Sequence, residues 1–216
     1  MSRISCAGYR SWPVILCLFS TLTLAGEDVE KPLDEIVVTA TRLQTTMQDT
    51  ARSISVIDQQ QIEDGMQQLS LDESLIGVPG LYMQNRYNMA QDLRVSLRGF
   101  GARSAFGIRG IKIIVDGIPE TLPDGQAGVD SIDLGSARRI QVLRGPSSSL
   151  YGNASGGVIL IDSQLGEEPA FVETNLAAGG LGFQKYQLKA GGTSSNFDYL
   201  VNVASQHLDG LKGRIF

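Results

Sequence analysis

Histidine occurs once in the 216 residues, at position 207, and cysteine only twice, at positions 6 and 17. Without a second imidazole or a thiol cluster, the composition argues against an ordinary hydrolase or zinc enzyme. His207 is expected to be a strand side chain with no partner ligand nearby. Proline is sparse, 7 residues against 25 glycines, and no compositional bias is strong enough for a collagen, a disulfide scaffold or a wholly disordered chain. No apolar run approaches the roughly 20 residues of a membrane-spanning helix. The formal charge is 18 − 23 = −5, so general attraction to nucleic acid or acidic membrane surfaces is not expected. What remains, 42% hydrophobic and 19% charged, suits one or two globular domains.

The first 25 residues have the form of a secretory signal peptide. Arg3 and Arg10 precede an uncharged stretch, Val14–Leu24, and small residues follow at Ala25 and Gly26. Removing residues 1–25 takes away two arginines and no acid, for a mature charge of 16 − 23 = −7. Cys6 and Cys17 leave as well, so no disulfide, thiolate nucleophile or cysteine metal site is expected in the mature chain. Neither Gly nor Ala directly precedes Cys17, which argues against a lipoprotein anchor.

Three regions follow. Residues 26–50 read as a polar linker broken by Pro32, with one β-branched run at Asp34–Thr41 (DEIVVTAT). No local pairing partner is evident for that run. It could add a strand to another protein's sheet edge, or be the ordinary first strand of the next domain. Residues 51–163 read as an α+β domain. A strand is expected at Ser53–Ile57, helical segments at Gln59–Gln68 and Leu71–Leu75, and strands at Leu81–Gln84, Leu93–Leu97, Ile111–Val115, Ile140–Leu143 and Val158–Ile161. Its long glycine-rich loops, 98–110 and 145–157, are of a kind that is functional or packed against something else. In residues 164–216, Val172, Thr174, Leu176 and Ala178 alternate with polar or small residues, as do Tyr186, Leu188 and Ala190, and Phe197, Tyr199, Val201 and Val203. Turns are expected at Gly179–Gly182 and Gly191–Ser195. This dyad is that of a membrane β-barrel with apolar side chains outward, although an open soluble sheet has the same period.

Motifs of chemistry fall away on inspection. Gly99-Phe-Gly101 lacks the third glycine and following helix of a dinucleotide loop. Pro146-Ser-Ser-Ser149 lacks the glycines of a nucleophile elbow. Asp116, Asp124, Asp130 and Asp133 do not have calcium-loop spacing. No catalytic residue, metal site or cofactor is expected. One feature resists this account: Arg86, Arg94, Arg98, Arg103, Arg109, Lys112, Arg138, Arg139 and Arg144 crowd one stretch, and Arg98 and Arg144 each stand in a Leu-Arg-Gly. Without acceptors evident inside the domain, a negatively charged wall outside it is expected.

Taken together, these residues resemble the TonB-dependent outer-membrane receptors. Asp34–Thr41 is similar to the family's energy-coupling box. Ser53–Leu81 resembles the start of its plug domain, Leu97–Gly101 (LRGFG) with Ile113–Pro119 (IIVDGIP) the plug middle, and Ile140–Gly157 (IQVLRGPSSSLYGNASGG) the closing signature. Residues 85–128 look closest to the YncD-type subgroup, associated with uptake of pyrroloquinoline quinone. The resemblance implies an α+β plug followed by the first strands of an antiparallel transmembrane β-barrel in a Gram-negative outer membrane. It implies that Asp34, Glu35, Ile36, Val37, Val38, Thr39 and Ala40 couple to TonB, and that Arg98 and Arg144 pair with barrel glutamates. It also implies that the loops Asn85–Asp92 and Ala102–Arg109 face a small-molecule ligand, a ferric siderophore or pyrroloquinoline quinone, through Asn85, Arg86, Tyr87, Arg103, Phe106 and Arg109.

After Gln164 only 52 residues remain, about three tilted strands, whereas the smallest barrels need about eight. An open three-stranded edge cannot stand in lipid. The expectation is therefore a truncated or partial receptor, with a stand-alone periplasmic plug-like binding protein as the competing reading. A signalling module is not expected, since too few residues separate Gly26 from Asp34.

Overall fold

A central strand must be apolar on both faces, and 137–144 meets that demand: Ile140 and Val142 project to one side and Leu143 to the other, all fully buried. The computed structural model describes residues 37–38, 45–46, 53–64, 66–84, 91–104, 107–195 and 197–209. In chain order these form β1 (Val37–Val38), β2 (Thr45–Thr46), β3 (Ser53–Asp58), α1 (Gln59–Glu63), α2 (Leu71–Leu75), β4 (Leu81–Gln84), β5 (Arg94–Leu97), β6 (Ile108–Arg109), β7 (Ile111–Val115), β8 (Ile118–Pro119), β9 (Gln126–Ala127), β10 (Ala137–Arg144), α3 (Ser148–Tyr151), β11 (Gly157–Ser163), β12 (Phe171–Ala178), β13 (Gln184–Ser194) and β14 (Phe197–His207).

The main sheet has the order β3-β10-β11-β7-β8, antiparallel except for the β11–β7 pair. Period-two alternation sorts its apolar side chains into two clusters. Ile140, Val142, Ile159, Ile161, Ile111 and Ile113 pack with Ile62 of α1, Leu71 and Leu75 of α2, and Val95 and Leu97 of β5. Leu143, Val158 and Ile114 pack on the other face with Ile54, Tyr151 and Ala154. Each fully buried isoleucine contributes about 1.5–3 kcal/mol against leaving it in water.

The helix expected over Gln59–Gln68 ends early, at Glu63. Asp58 caps it well, accepting from the Gln61 amide at 2.9 Å while Gln61 Oε1 accepts from the Asp58 amide at 3.3 Å. Farther on, the Glu73 carboxylate captures three consecutive amides, those of Gln67 (2.7 Å), Gln68 (3.0 Å) and Leu69 (2.9 Å). Amides bound there cannot serve a helical ladder, and Gln68 turns left-handed at φ +56°.

The last three strands form a separate antiparallel sheet, β12-β13-β14. Leu176 stands opposite Tyr186, and Leu188 opposite Val203, so the apolar residues form one continuous face. That face is the exposed one: Val172 and Leu176 are 73% and 72% accessible, Val203 62%. The opposite face is polar, and on the middle strand β13 it is buried, with Lys185 at 2% and Lys189 at 3%, while Glu173 of β12 and Gln206 of β14 stay exposed. A soluble open sheet would show the reverse, so the polar-in, apolar-out arrangement is that of a barrel wall. Gly191 and Gly192 lie inside β13 rather than in the expected turn. A Cβ on Gly191 would sit 2.8 Å from the Phe171 ring, and one on Gly192 2.6 Å from the Tyr199 hydroxyl, so glycine there leaves room for side chains of both flanking strands.

Candidate functional site

The β-branched run at 34–41 contains β1, and β1 has a partner after all. Val37 pairs with Thr46 and Val38 with Thr45, in a two-stranded antiparallel sheet. Thr45–Thr46 is too short to announce itself by periodicity, which is why the sequence showed no partner. Asp34, Glu35, Ile36, Thr39 and Ala40 lie outside the described residues, as do residues 1–25 and the candidate loop residues Asn85, Arg86, Tyr87 and Phe106.

The two Leu-Arg-Gly segments meet at the Pro79-Gly80 turn. The Arg98 amide donates to the Gly80 carbonyl at 2.8 Å, and Arg144 Nη1 donates to the Pro79 carbonyl at 3.3 Å. Arg98 is exposed and left-handed at φ +50°, held between β5 and the turn. Arg144 is half-buried, and its Nε has no hydrogen-bond partner. Among the described residues no ion pair reaches either arginine. The expectation that the domain lacks acceptors fails, however, at Arg139, which forms an ion pair at 3.2 Å with Asp162 across the β10–β11 ladder.

Of the other candidate ligand residues, Arg103 is exposed in the turn after β5, and Arg109 is exposed in β6 with Nη2 donating to Gln126 Oε1 at 3.4 Å. Arg94 of β5 reaches the second candidate loop. It stands opposite Gln84 where β4 and β5 flank residues 85–93, and its Nη2 donates to the Ala102 carbonyl at 2.7 Å. Among the described residues no three histidine, cysteine or carboxylate side chains gather as a metal site requires. His207 does have a carboxylate neighbour, Asp209 at 3.1 Å, but both side chains are 69% exposed.

The most developed polar contacts join the plug to the wall, through residues the sequence reading did not single out. Lys189 of β13 holds Glu63 of α1 at 2.8 Å and Glu173 of β12 at 3.3 Å. Lys185 donates to Gln68 Oε1, and Gln206 Nε2 donates to the Gln68 carbonyl at 3.4 Å. Asn202 Nδ2 donates to Asp133 at 2.7 Å, and Gln187 Nε2 to the Gly135 carbonyl at 3.4 Å. A cavity of about 240 Å³, lined by Glu63, Gln68, Glu173, Thr174, Asn175, Gln187 and Lys189, opens beside the lysine. Here the wall supplies cations and the plug supplies acceptors. The signal in the sequence was two lysines four residues apart on the inward face of a strand whose outward face is apolar.

Residues 46–158, more than half of the chain, match the family described as TonB-dependent Receptor Plug Domain. The vitamin B12 transporter BtuB of Vibrio vulnificus (strain CMCP6) is 30% identical over 147 residues, covering 68% of this chain and 23% of the relative. The rhizobactin receptor of Rhizobium meliloti (strain 1021) is 29% identical over 212 residues, covering 88% and 26% respectively. Among solved structures, P. aeruginosa FpvA bound to a heterologous pyoverdine and iron superposes with a TM-score of 0.64 at 25% identity, covering 78% of this chain and 22% of that one. The ferric-catecholate import receptor Fiu of E. coli K12, at 22% identity and a TM-score of 0.59, shares the fold. The chain spans about a quarter of the length of the curated relatives it matches. On these matches, and on the plug and inward-polar strands described above, the chain belongs to the TonB-dependent receptor plug domain family.

Proposed function

We propose that this chain supplies the export signal (1–25), coupling segment (34–41), plug (51–163) and first barrel strands (164–216) of a TonB-dependent outer-membrane transporter for a scarce small molecule. One observation carries the reading: the middle one of the three last strands buries Lys185, Gln187 and Lys189 against the plug, while all three strands expose apolar side chains suited to lipid. A stand-alone periplasmic protein has no use for such a face, which in water is an aggregation liability.

In this reading TonB adds a strand to the coupling segment. Main-chain pairing explains why that segment needs strand preference rather than particular side chains, and why a proline within Ile36–Thr39 should disable it. Arg98 and Arg144, together at the Pro79-Gly80 turn, are the plug cations available to barrel glutamates elsewhere in the receptor. Loops 85–92 and 102–109 present Asn85, Arg86, Tyr87, Arg103, Phe106 and Arg109 to the cargo. An arginine-rich apex favours an anionic, multidentate ligand. The names of the relatives support a siderophore or a corrinoid. The likeness of residues 85–128 to the YncD-type subgroup supports pyrroloquinoline quinone. Nothing in this reading calls for enzymatic chemistry.

The test is binding and uptake by the receptor that carries this chain, with ferric siderophores, cobalamin and pyrroloquinoline quinone assayed side by side. Saturable binding of one of them, and accumulation abolished by a protonophore, is the expected result. Recovery of the protein in the soluble periplasm would overturn the reading.

A further inference from the structure

We infer that Thr45–Thr46 is a template strand: β2 holds Val37–Val38 extended along one edge and leaves the opposite edge open for the strand of the coupling partner. The inference rests on the proposal that residues 34–41 are the coupling segment. It stands on the pairing of Val37 with Thr46 and Val38 with Thr45, and on the membership of that sheet, which among the described residues has these two strands only. A strand has two edges, and in a two-stranded ribbon each member keeps one edge of unpaired N–H and C=O groups, a ready template for another chain.

The energetics favour addition over displacement. A two-stranded ribbon is marginal by itself in water, whereas a third strand gives it the minimum for independent stability. Val37, Val38, Thr45 and Thr46 are all β-branched, which stiffens the extended form in both members. Freezing one residue's backbone costs roughly 5- to 30-fold in an equilibrium constant, and β2 meets part of that cost before the partner arrives. The arrangement that results is β2-β1-partner, with the coupling segment in the middle. The partner it fits is an extended strand with a free edge. Asp34 and Glu35, which precede Ile36 and β1 in the sequence, favour one that carries Lys or Arg.

The competing possibility is that β2 occupies the edge the partner needs, so that it masks the segment until ligand binds. The two predict opposite signs. In the full receptor, replacing Thr45 and Thr46 together by proline removes both main-chain donors from β2. Affinity for the isolated periplasmic domain of TonB should then fall roughly 10-fold, about 1.4 kcal/mol. A Thr45→Gly/Thr46→Gly variant, which keeps the donors but weakens the strand preference, should lose a smaller factor. Thr45→Val/Thr46→Val should bind as the parent does. Tighter binding by the proline variant would identify β2 as a mask, and unchanged binding would make it irrelevant; either result overturns the template. Ile36→Pro separates this failure from the other. If it leaves binding intact, the coupling segment has been misplaced; if it abolishes binding while the β2 variants do not, the template alone is wrong.

Discussion

Replacing Lys189 by methionine isolates the charge that holds the plug to the wall. Methionine keeps a stem of similar length, so packing along the strand is largely preserved. The ammonium is almost wholly buried, with 4% of its side chain accessible, but its partners are not: Glu63 is 30% and Glu173 53% exposed. Breaking a fully buried pair costs about 3–5 kcal/mol and an exposed one about 0.2–1, so this half-buried arrangement should lie between them, at about 1.5–2.5 kcal/mol. The adjoining cavity of about 240 Å³ can admit water to the stranded carboxylates, which places the expectation at the lower end of that range. A double-mutant cycle with Glu63→Gln should return about 1–1.5 kcal/mol of coupling, and one with the better-solvated Glu173 under about 0.5. The assay is unfolding of the receptor, together with hydrogen exchange of the α1 amides, which should open sooner in Lys189→Met. Salt near 1 M should shrink the coupling, because its partners are partly in water. A Glu63 coupling indistinguishable from zero, or a stabilising Lys189→Met, would refute the claim that this contact docks the plug.

The outward face of the wall offers a second test. Val203→Lys should cost up to about 2–4 kcal/mol of folding into a bilayer, whereas on a soluble sheet a surface change of this kind stays within about 0.5. For the ligand loops, Arg86→Ala and Arg103→Ala should each weaken cargo binding about 10-fold or more, since a charge-assisted hydrogen bond contributes about 1.5–3 kcal/mol. Unchanged affinity in both variants would remove these loops from the site. Asp130 titrates above the ordinary value of 3.8, chiefly through burial, then through the charge of Asp92 and a hydrogen bond to it. A raised carboxyl contributes stability when protonated and loses it as pH rises through its folded value. Asp130→Asn should therefore stabilise the plug at pH 7, with the advantage vanishing below pH 3.8 in a denaturation series. A destabilised variant at neutral pH would contradict this.

The strands of the plug that carry long apolar alternations could be read from the sequence almost residue by residue. Leu81–Gln84 and Ile111–Val115 fall where the pattern puts them, bounded by Pro79-Gly80 and Gly110 on one side and Asp116-Gly117 on the other. Two-residue strands such as β6, β8 and β9 have no period to detect, and they exist because the neighbouring chain fixes them. The helix expected over 59–68 stops at Glu63 for a non-local reason. Apolar spacing at Ile62, Met66 and Leu69 fits a helix, but a carboxylate from the next helix takes the amides that would continue it. The glycines at 191 and 192 read locally as a turn because their neighbours, the side chains of Phe171 and Tyr199 on flanking strands, are invisible along the chain. In the candidate site the arginines drew attention because they cluster in sequence. The wall lysines did not, because a lysine in an alternating strand normally points to water. Only an inside-out sheet makes it a buried contact.

That inversion also explains how the plug and these strands recognise one another. β10 runs from Ala137, beside Ser163, past Arg139, beside Asp58, to Arg144, beside Ser53 and Gly157. At its first end the flanking segments carry Glu63, Asp133 and the carbonyls of Gln68 and Gly135, all acceptors, and these are the groups that Lys189, Asn202, Gln206 and Gln187 engage. At its far end the plug presents Arg98 and Arg144 instead. The acceptors that meet these strands thus gather at the end of the central strand that also carries Arg138 and Arg139. Docked end for end, the plug would set arginines against Lys185 and Lys189, take Gln68 from Lys185 and leave Lys189 with Glu173 of its own sheet as its carboxylate partner. Orientation is therefore encoded by the acceptors Glu63, Asp133 and Gln68 gathered at one end of that strand, where Arg139 is already paired with Asp162. Exchanging charges across the Lys189–Glu63 pair should restore docking better than either single change, because the pair carries polarity rather than shape.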